Sequence, residues 1–148
     1  MASISVIDEA YIQAPPATVY AVITDYANMN SWFAQCACTV ESDAPIAEGT
    51  LVHHAVGEKR VLTRFTRRID KIQQNQRIEE SYIDGDLIGT GVWTLTPEGD
   101  GTRLAFDCCV KGNSLMSNFG LWLTGSKMHS KFYQDLFSAL NAHLAQRA

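Results

Sequence analysis

No stretch of the chain approaches the ~18 consecutive apolar residues of a membrane helix, and the opening MASISVIDEAYI has no basic segment leading into an apolar run. Export and stable membrane insertion are therefore not expected, and the protein is read as cytoplasmic. Positive charge is also short, with 12 Lys and Arg against 16 Asp and Glu and a formal charge of −4. Nucleic-acid backbones require clustered positive potential, so no nucleic-acid partner is expected. Seven of the 12 basic residues do fall in one segment: Lys59, Arg60, Arg64, Arg67, Arg68, Lys71 and Arg77. Glu58, Asp70, Glu79 and Glu80 lie among or beside them, which is the pattern of a charge-paired strand face. Cysteine numbers only four, and in a reducing cytoplasm these are expected as free thiols. No lipidation box stands at Arg147 and Ala148. With 46% apolar residues in 148, a core can form without a disulfide or metal staple. Residues 1–148 are read as one domain, of no assigned oligomeric state.

What is present divides into three parts. Residues 3–12 alternate apolar and polar side chains as a strand does. Paired prolines then suit a helix entry near Pro16, and Val19, Val22, Ile23 and Tyr26 recur at helical spacing, predicting a short helix that ends near Asn28. From Cys36 to Lys111 the pattern becomes short β-rich runs, predicted at 36–42, 49–56, 59–71, 77–84, 87–96 and 102–111. EGT, VGEK, IDGD and PEGDGT mark four of the turns between them. Connections this short imply antiparallel pairing. After KGNS the chain is helical. At about 100° per residue, Met128, Phe132, Leu136, Leu140, Tyr133, Leu144 and Phe137 cover one half of the cylinder. Such a face must be buried, and the sheet is the available partner. Gly120 and Gly125 predict a kink near the start of that helix.

The order of strand, short helix, six antiparallel strands and long C-terminal helix resembles the START-like helix-grip superfamily. Within it the chain is most similar to the polyketide cyclase/dehydrase and lipid-transport group. IQAPPATVYAVITDYANMNSWF resembles that group's opening, GVWTLTPEGDGTRLAFD its late hairpin and SKFYQDLFSALNAHL its terminal helix. The resemblance implies an α+β fold in which a curved antiparallel sheet wraps the C-terminal helix. It also implies a cavity between them for a hydrophobic small molecule of lipid, polyketide or quinone-like character.

Alternate side chains of a strand point to opposite faces, so the apolar parity marks the inner one. It selects Leu87, Gly89, Gly91, Trp93 and Leu95, then Leu104, Phe106, Cys108 and Val110. Two glycines on an inner face either leave room for a guest or permit curvature and close helix packing. The set Val61, Thr63, Phe65 and Ile69 carries Arg67 inward, and Ile78 and Tyr82 carry Glu80. Arg67 and Glu80 could pair beneath the sheet and orient a ligand oxygen, or a bulge could turn both to solvent.

Trp32 and Phe33 follow the short helix, where a helix-grip fold has its cavity mouth. One reading places them as a closing lip and the other as ordinary core. Trp122, Met128, His129, Phe132 and Leu136 are expected on the helical wall of the cavity. A zinc site takes about four ligands. Cys36 and Cys38 share a face, and His53 and His54 point opposite ways, so at most one can join them. Three ligands result, and no metal or other cofactor is expected. No set of nucleophile, base and orienting residue is legible, so the leading reading is a non-enzymatic carrier. The alternative is a cyclase or dehydratase with Glu80, Arg67, Tyr82 or His53 as acid–base groups.

Overall fold

In a computed structural model of the chain the described residues are 3–42, 45–57 and 59–147, with backbone alone for 116–124. Ile4, Val6, Ala10 and Ile12 turn to one side of β1, Ser3–Ile12. Pro15, extended, and Pro16 preset the entry of α1, Pro16–Ile23, which buries Val19, Val22 and Ile23. The helix ends five residues short of the expected Asn28. Thr24 Oγ1 donates to the Tyr20 carbonyl at 2.7 Å, and Asp25, at φ −83° and ψ 66°, leaves helical geometry. A 3-10 helix, Tyr26–Ser31, follows and buries Tyr26 and Met29.

Six further strands are β2, Cys36–Val40; β3, Leu51–Val56; β4, Thr63–Gln73; β5, Arg77–Gly85; β6, Leu87–Glu98; and β7, Gly101–Gly112. They form one antiparallel sheet in the order β1-β7-β6-β5-β4-β3-β2. Since β1 and β2 occupy opposite edges, α1 and the 3-10 helix carry the chain across the sheet. The strand expected to begin at Lys59 begins at Thr63. The Leu62 amide donates back to the Val56 carbonyl at 2.8 Å, closing a loop, so Val61 is outside the strand and 44% exposed rather than inward. Asn75, at φ 64°, makes the β4–β5 turn, and Gly85, at φ 92°, makes the next. A Cβ on Gly85 would stand 2.4 Å from the Arg64 carbonyl oxygen.

The long helix α2, Leu115–Arg147, is broken at Gly125 (φ 61°, ψ −165°). Beyond the break it lies on β1 and β7, burying Tyr133, Leu136, Phe137, Leu140 and Leu144. This is the α+β helix-grip arrangement. Met128 does not follow the expected arc. It stands in the first turn after the break and is 56% exposed. Among the described residues no helix is long and apolar enough to cross a membrane.

Candidate functional site

The inner faces of β4 and β5 bring together the two charges that a core normally excludes. Arg67 lies opposite Tyr82 and Ile69 opposite Glu80, with register shifts between Thr66 and Arg67 and between Ile69 and Lys71. Despite these irregularities both charges point inward. Arg67 Nη1 donates to Glu80 Oε2 at 2.7 Å, and Nη2 donates to Tyr133 Oη at 3.0 Å. The Tyr26 hydroxyl donates to Glu80 Oε1, so both carboxylate oxygens are engaged. The guanidinium also lies 4.7 Å from the centre of the Tyr82 ring, 5.2 Å from Phe65 and 5.3 Å from Phe106. Four elements, β4, β5, β7 and α2, therefore meet at one cation, and the 3-10 helix reaches its carboxylate partner. Burial, reinforced by the negative charge of Glu80, pushes the Tyr26 phenol well above its ordinary value. Burial also raises Tyr82 and Tyr133, so all three rings stay protonated donors.

A second cluster sits near the β2 edge. His54 pairs across from Cys38, its Nδ1 lying 3.2 Å from Cys38 Sγ and 3.8 Å from Cys36 Sγ, and the sulfurs are 3.7 Å apart. The imidazole stacks on Phe65 at 4.9 Å and meets Tyr26 edge-on at 5.8 Å. Burial, with Arg67 and His53 adding to it, holds the His54 pKa well below its ordinary value. The hydrogen bond between the thiols draws the Cys36 pKa down and drives that of Cys38 far up.

A third pair was not anticipated from sequence. Asp8 shares the inward parity of Ile4, Val6, Ala10 and Ile12, and its Oδ2 lies 3.4 Å from His129 Nδ1 of α2. That parity was the available signal. The His129 ring is within 4.7 Å of Tyr133 and 6.4 Å of Phe106, centre to centre. Burial lowers its pKa against the opposing pull of Asp8. Tyr26 and Tyr133 were legible as helix-face residues, but their hydroxyl partners were not.

The remaining expected residues divide. Trp93 is buried, with its ring centre 4.5 Å from that of Phe106 and 5.9 Å from that of Tyr133, and Leu136 is buried with them. Phe33 is buried with its ring edge-on to half-buried Phe132 at 5.2 Å. Trp32 stacks on His143 and lines a cleft of about 270 Å³ with Asp25, Ser31 and Arg147, between α1 and the C-terminal end of α2. His53 is on the outer face, bonded to Thr66 Oγ1 at 2.8 Å and 3.4 Å from Glu41, which separates it from the interior polar groups. The side chain of Trp122 lies outside what is described, its backbone being part of α2. The inner glycines adjoin occupied space. A Cβ on Gly91 would stand 2.6 Å from the Phe106 ring, and one on Gly89, at φ 148°, 2.1 Å from the Cys109 carbonyl oxygen. Close packing and backbone geometry account for them.

Five buried polar atoms have no hydrogen-bond partner among the described residues: Asp8 Oδ2, His54 Nε2, Arg67 Nε, Trp93 Nε1 and His129 Nδ1. All belong to inward-facing side chains of the sheet or to α2. The arrangement sets unpaired donors beside a cluster of aromatic rings.

Solved structures share this architecture. A protein from Thermus thermophilus superposes with a TM-score of 0.77 at 20% identity, over 97% of this chain and 99% of its own. A START superfamily protein from Mycobacterium smegmatis gives 0.74 at 17%, over 97% and 99%. A major latex-like protein from Panax ginseng gives 0.73 at 9%, over 97% and 98%. Identities this low establish the fold alone. No curated protein matches the chain. The family model described as polyketide cyclase/dehydrase and lipid transport matches residues 3–146, nearly every element from β1 to the end of α2, and the chain belongs to that family.

Proposed function

We propose that residues 1–148 form one cytoplasmic binding domain that carries a hydrophobic small molecule, of lipid, polyketide or quinone-like type, between the sheet and α2. Family and fold support a hydrophobic ligand-binding or polyketide cyclase-type role. The observation that carries the finer reading is the buried Arg67–Glu80 pair with its tyrosines. Apolar residues of equal volume often serve stability as well as or better than a buried ion pair, so packing alone does not call for one. Arg67 Nε and Trp93 Nε1 remain without acceptors among the described residues, and an unsatisfied buried donor costs about 1–3 kcal/mol. A guest with an apolar body and a carbonyl or hydroxyl oxygen would satisfy them. The expected lining residues Phe65, Arg67, Glu80, Tyr82, Trp93, Phe106, His129, Phe132 and Leu136 remain the proposed contacts, His129 now with Asp8 beside it.

A second reading, acid–base catalysis on such a guest, is favoured by Asp8 and His129. A neutral imidazole oriented by a carboxylate can take a proton from carbon next to a carbonyl and return it to oxygen. Glu80 is less suited to this step, because Arg67 and Tyr26 engage both its oxygens. Titration with an apolar fluorescent probe tests the carrier reading. Arg67→Met with Glu80→Leu should weaken binding of an oxygenated competitor while a pure hydrocarbon keeps its affinity. Equal effects on both would overturn ligand orientation by the pair. Asp8→Asn should leave binding intact, and turnover of a polyketide-like substrate that disappears in this variant would instead establish the enzyme.

A further inference from the structure

The sequence supplies three soft ligands where zinc takes about four, which is why no metal was expected. The structure collects those three around one centre. With Zn–S near 2.3 Å and Zn–N near 2.05 Å, tetrahedral angles place two sulfurs about 3.8 Å apart and sulfur from nitrogen about 3.6 Å apart. Cys36 Sγ and Cys38 Sγ are 3.7 Å apart and lie 3.8 and 3.2 Å from His54 Nδ1. A single S–H···N bond would account for one cysteine beside a histidine. Here the second sulfur closes a triangle on the same nitrogen.

The backbone explains the convergence. Strand alternation puts residues 36 and 38 on one face of β2, and antiparallel register sets His54 of β3 directly across from Cys38. Phe65 and Tyr26 hold the imidazole so that Nδ1 meets the sulfurs. Cys36 and His54 are buried, while Cys38 is half-buried on the edge strand and offers a way in.

We propose that Cys36, Cys38 and His54 form a zinc(II) site with one exchangeable coordination position. Charge selects the ion. Two thiolates and a neutral imidazole neutralise a divalent cation, whereas a monovalent one would leave a buried negative charge, since Arg67 is already matched by Glu80. Both thiol protons leave to solvent as the ion enters.

The test uses the full-length, reduced, metal-free protein, titrated with zinc against a chromophoric chelator and separately with cobalt(II). One equivalent should bind, and the cobalt form should show thiolate-to-metal charge transfer in the near ultraviolet. Cys38→Ser and His54→Ala should each weaken binding by about 100-fold or more, since loss of an outer-shell partner alone costs 10–100-fold. Cys109→Ser, on the exposed face, should change nothing. Circular dichroism of each variant separates a lost ligand from a lost fold, and Cys38, being half-buried, is the substitution best tolerated. Absence of charge transfer, or equal affinity in the Cys38 and Cys109 variants, would overturn the site.

Discussion

Arg67 and Glu80 sit diagonally across β4 and β5 with Nη1 and Oε2 2.7 Å apart, 4% and 1% exposed. Removing one partner of such a pair strands the other charge in the core, at a cost of about 3–5 kcal/mol. Glu80→Gln is therefore expected to lower unfolding free energy in urea by an amount near that range. Arg67→Met combined with Glu80→Leu should cost less than the sum of the single changes. Additive losses would mean that the two groups act independently.

Gly91 tests whether the inner face is filled. Its Cβ would come within 2.6 Å of the Phe106 ring, and overpacking of this kind costs about 1–3 kcal/mol. Gly91→Ala should show that loss in chemical denaturation, with partial recovery when Phe106→Leu is added. A neutral Gly91→Ala would mean open space above β6.

Trp93 lies against Phe106 and Tyr133. Trp93→Ala is expected to cost about 3–5 kcal/mol, as for an aromatic ring in a packed core. An altered preference for probe size alongside that loss would fit its proposed ligand contact, and a variant unchanged in both stability and probe binding would contradict the inward placement.

Histidine titration sets a pH dependence. In the metal-free protein the fold keeps His54 neutral, with burial holding its pKa well below the ordinary 6.5. Below that value the unfolded chain takes up a proton that the folded chain refuses, so stability falls with falling pH. This contribution is absent above about pH 7 and grows toward pH 5. His54→Phe should flatten the unfolding free energy across that window, and an unchanged slope would contradict the assignment.

The adjacent thiols Cys108 and Cys109 should differ in reactivity. Cys108 is fully buried, its pKa pushed up to about 11 by burial, while Cys109 is exposed. Mass spectrometry after brief alkylation of the native protein should find Cys109 modified and Cys108 intact, because the thiolate is the reactive form.

Periodicity carried most of the architecture. Strict alternation fixed the faces of β6 and β7, and the apolar arc found the buried side of α2, because those patterns report directly on burial. Arg67 and Glu80 were reachable only by accepting that charged residues obey the parity of their apolar neighbours. The same rule applied to β1 would have turned Asp8 inward. His53 and His54 could not be separated from sequence, since neighbouring apolar residues occupy both parities and only pairing with β2 and β4 decides the face. Whether the two inner glycines leave room for a guest or serve curvature and close packing stayed open in the sequence, because their sequence neighbours do not show Phe106 and Cys109 on the adjoining strand. The early end of α1 depended on one Thr24 side chain bonding back to its own helix, a choice that apolar spacing does not record.

Native mass spectrometry of the protein isolated from its own host tests the binding claim most directly. The account predicts a population heavier than the bare chain by the mass of one apolar, oxygen-bearing compound, released by organic solvent and competed by an apolar probe. A bare chain throughout, together with no displaceable probe binding in the purified protein, would contradict it.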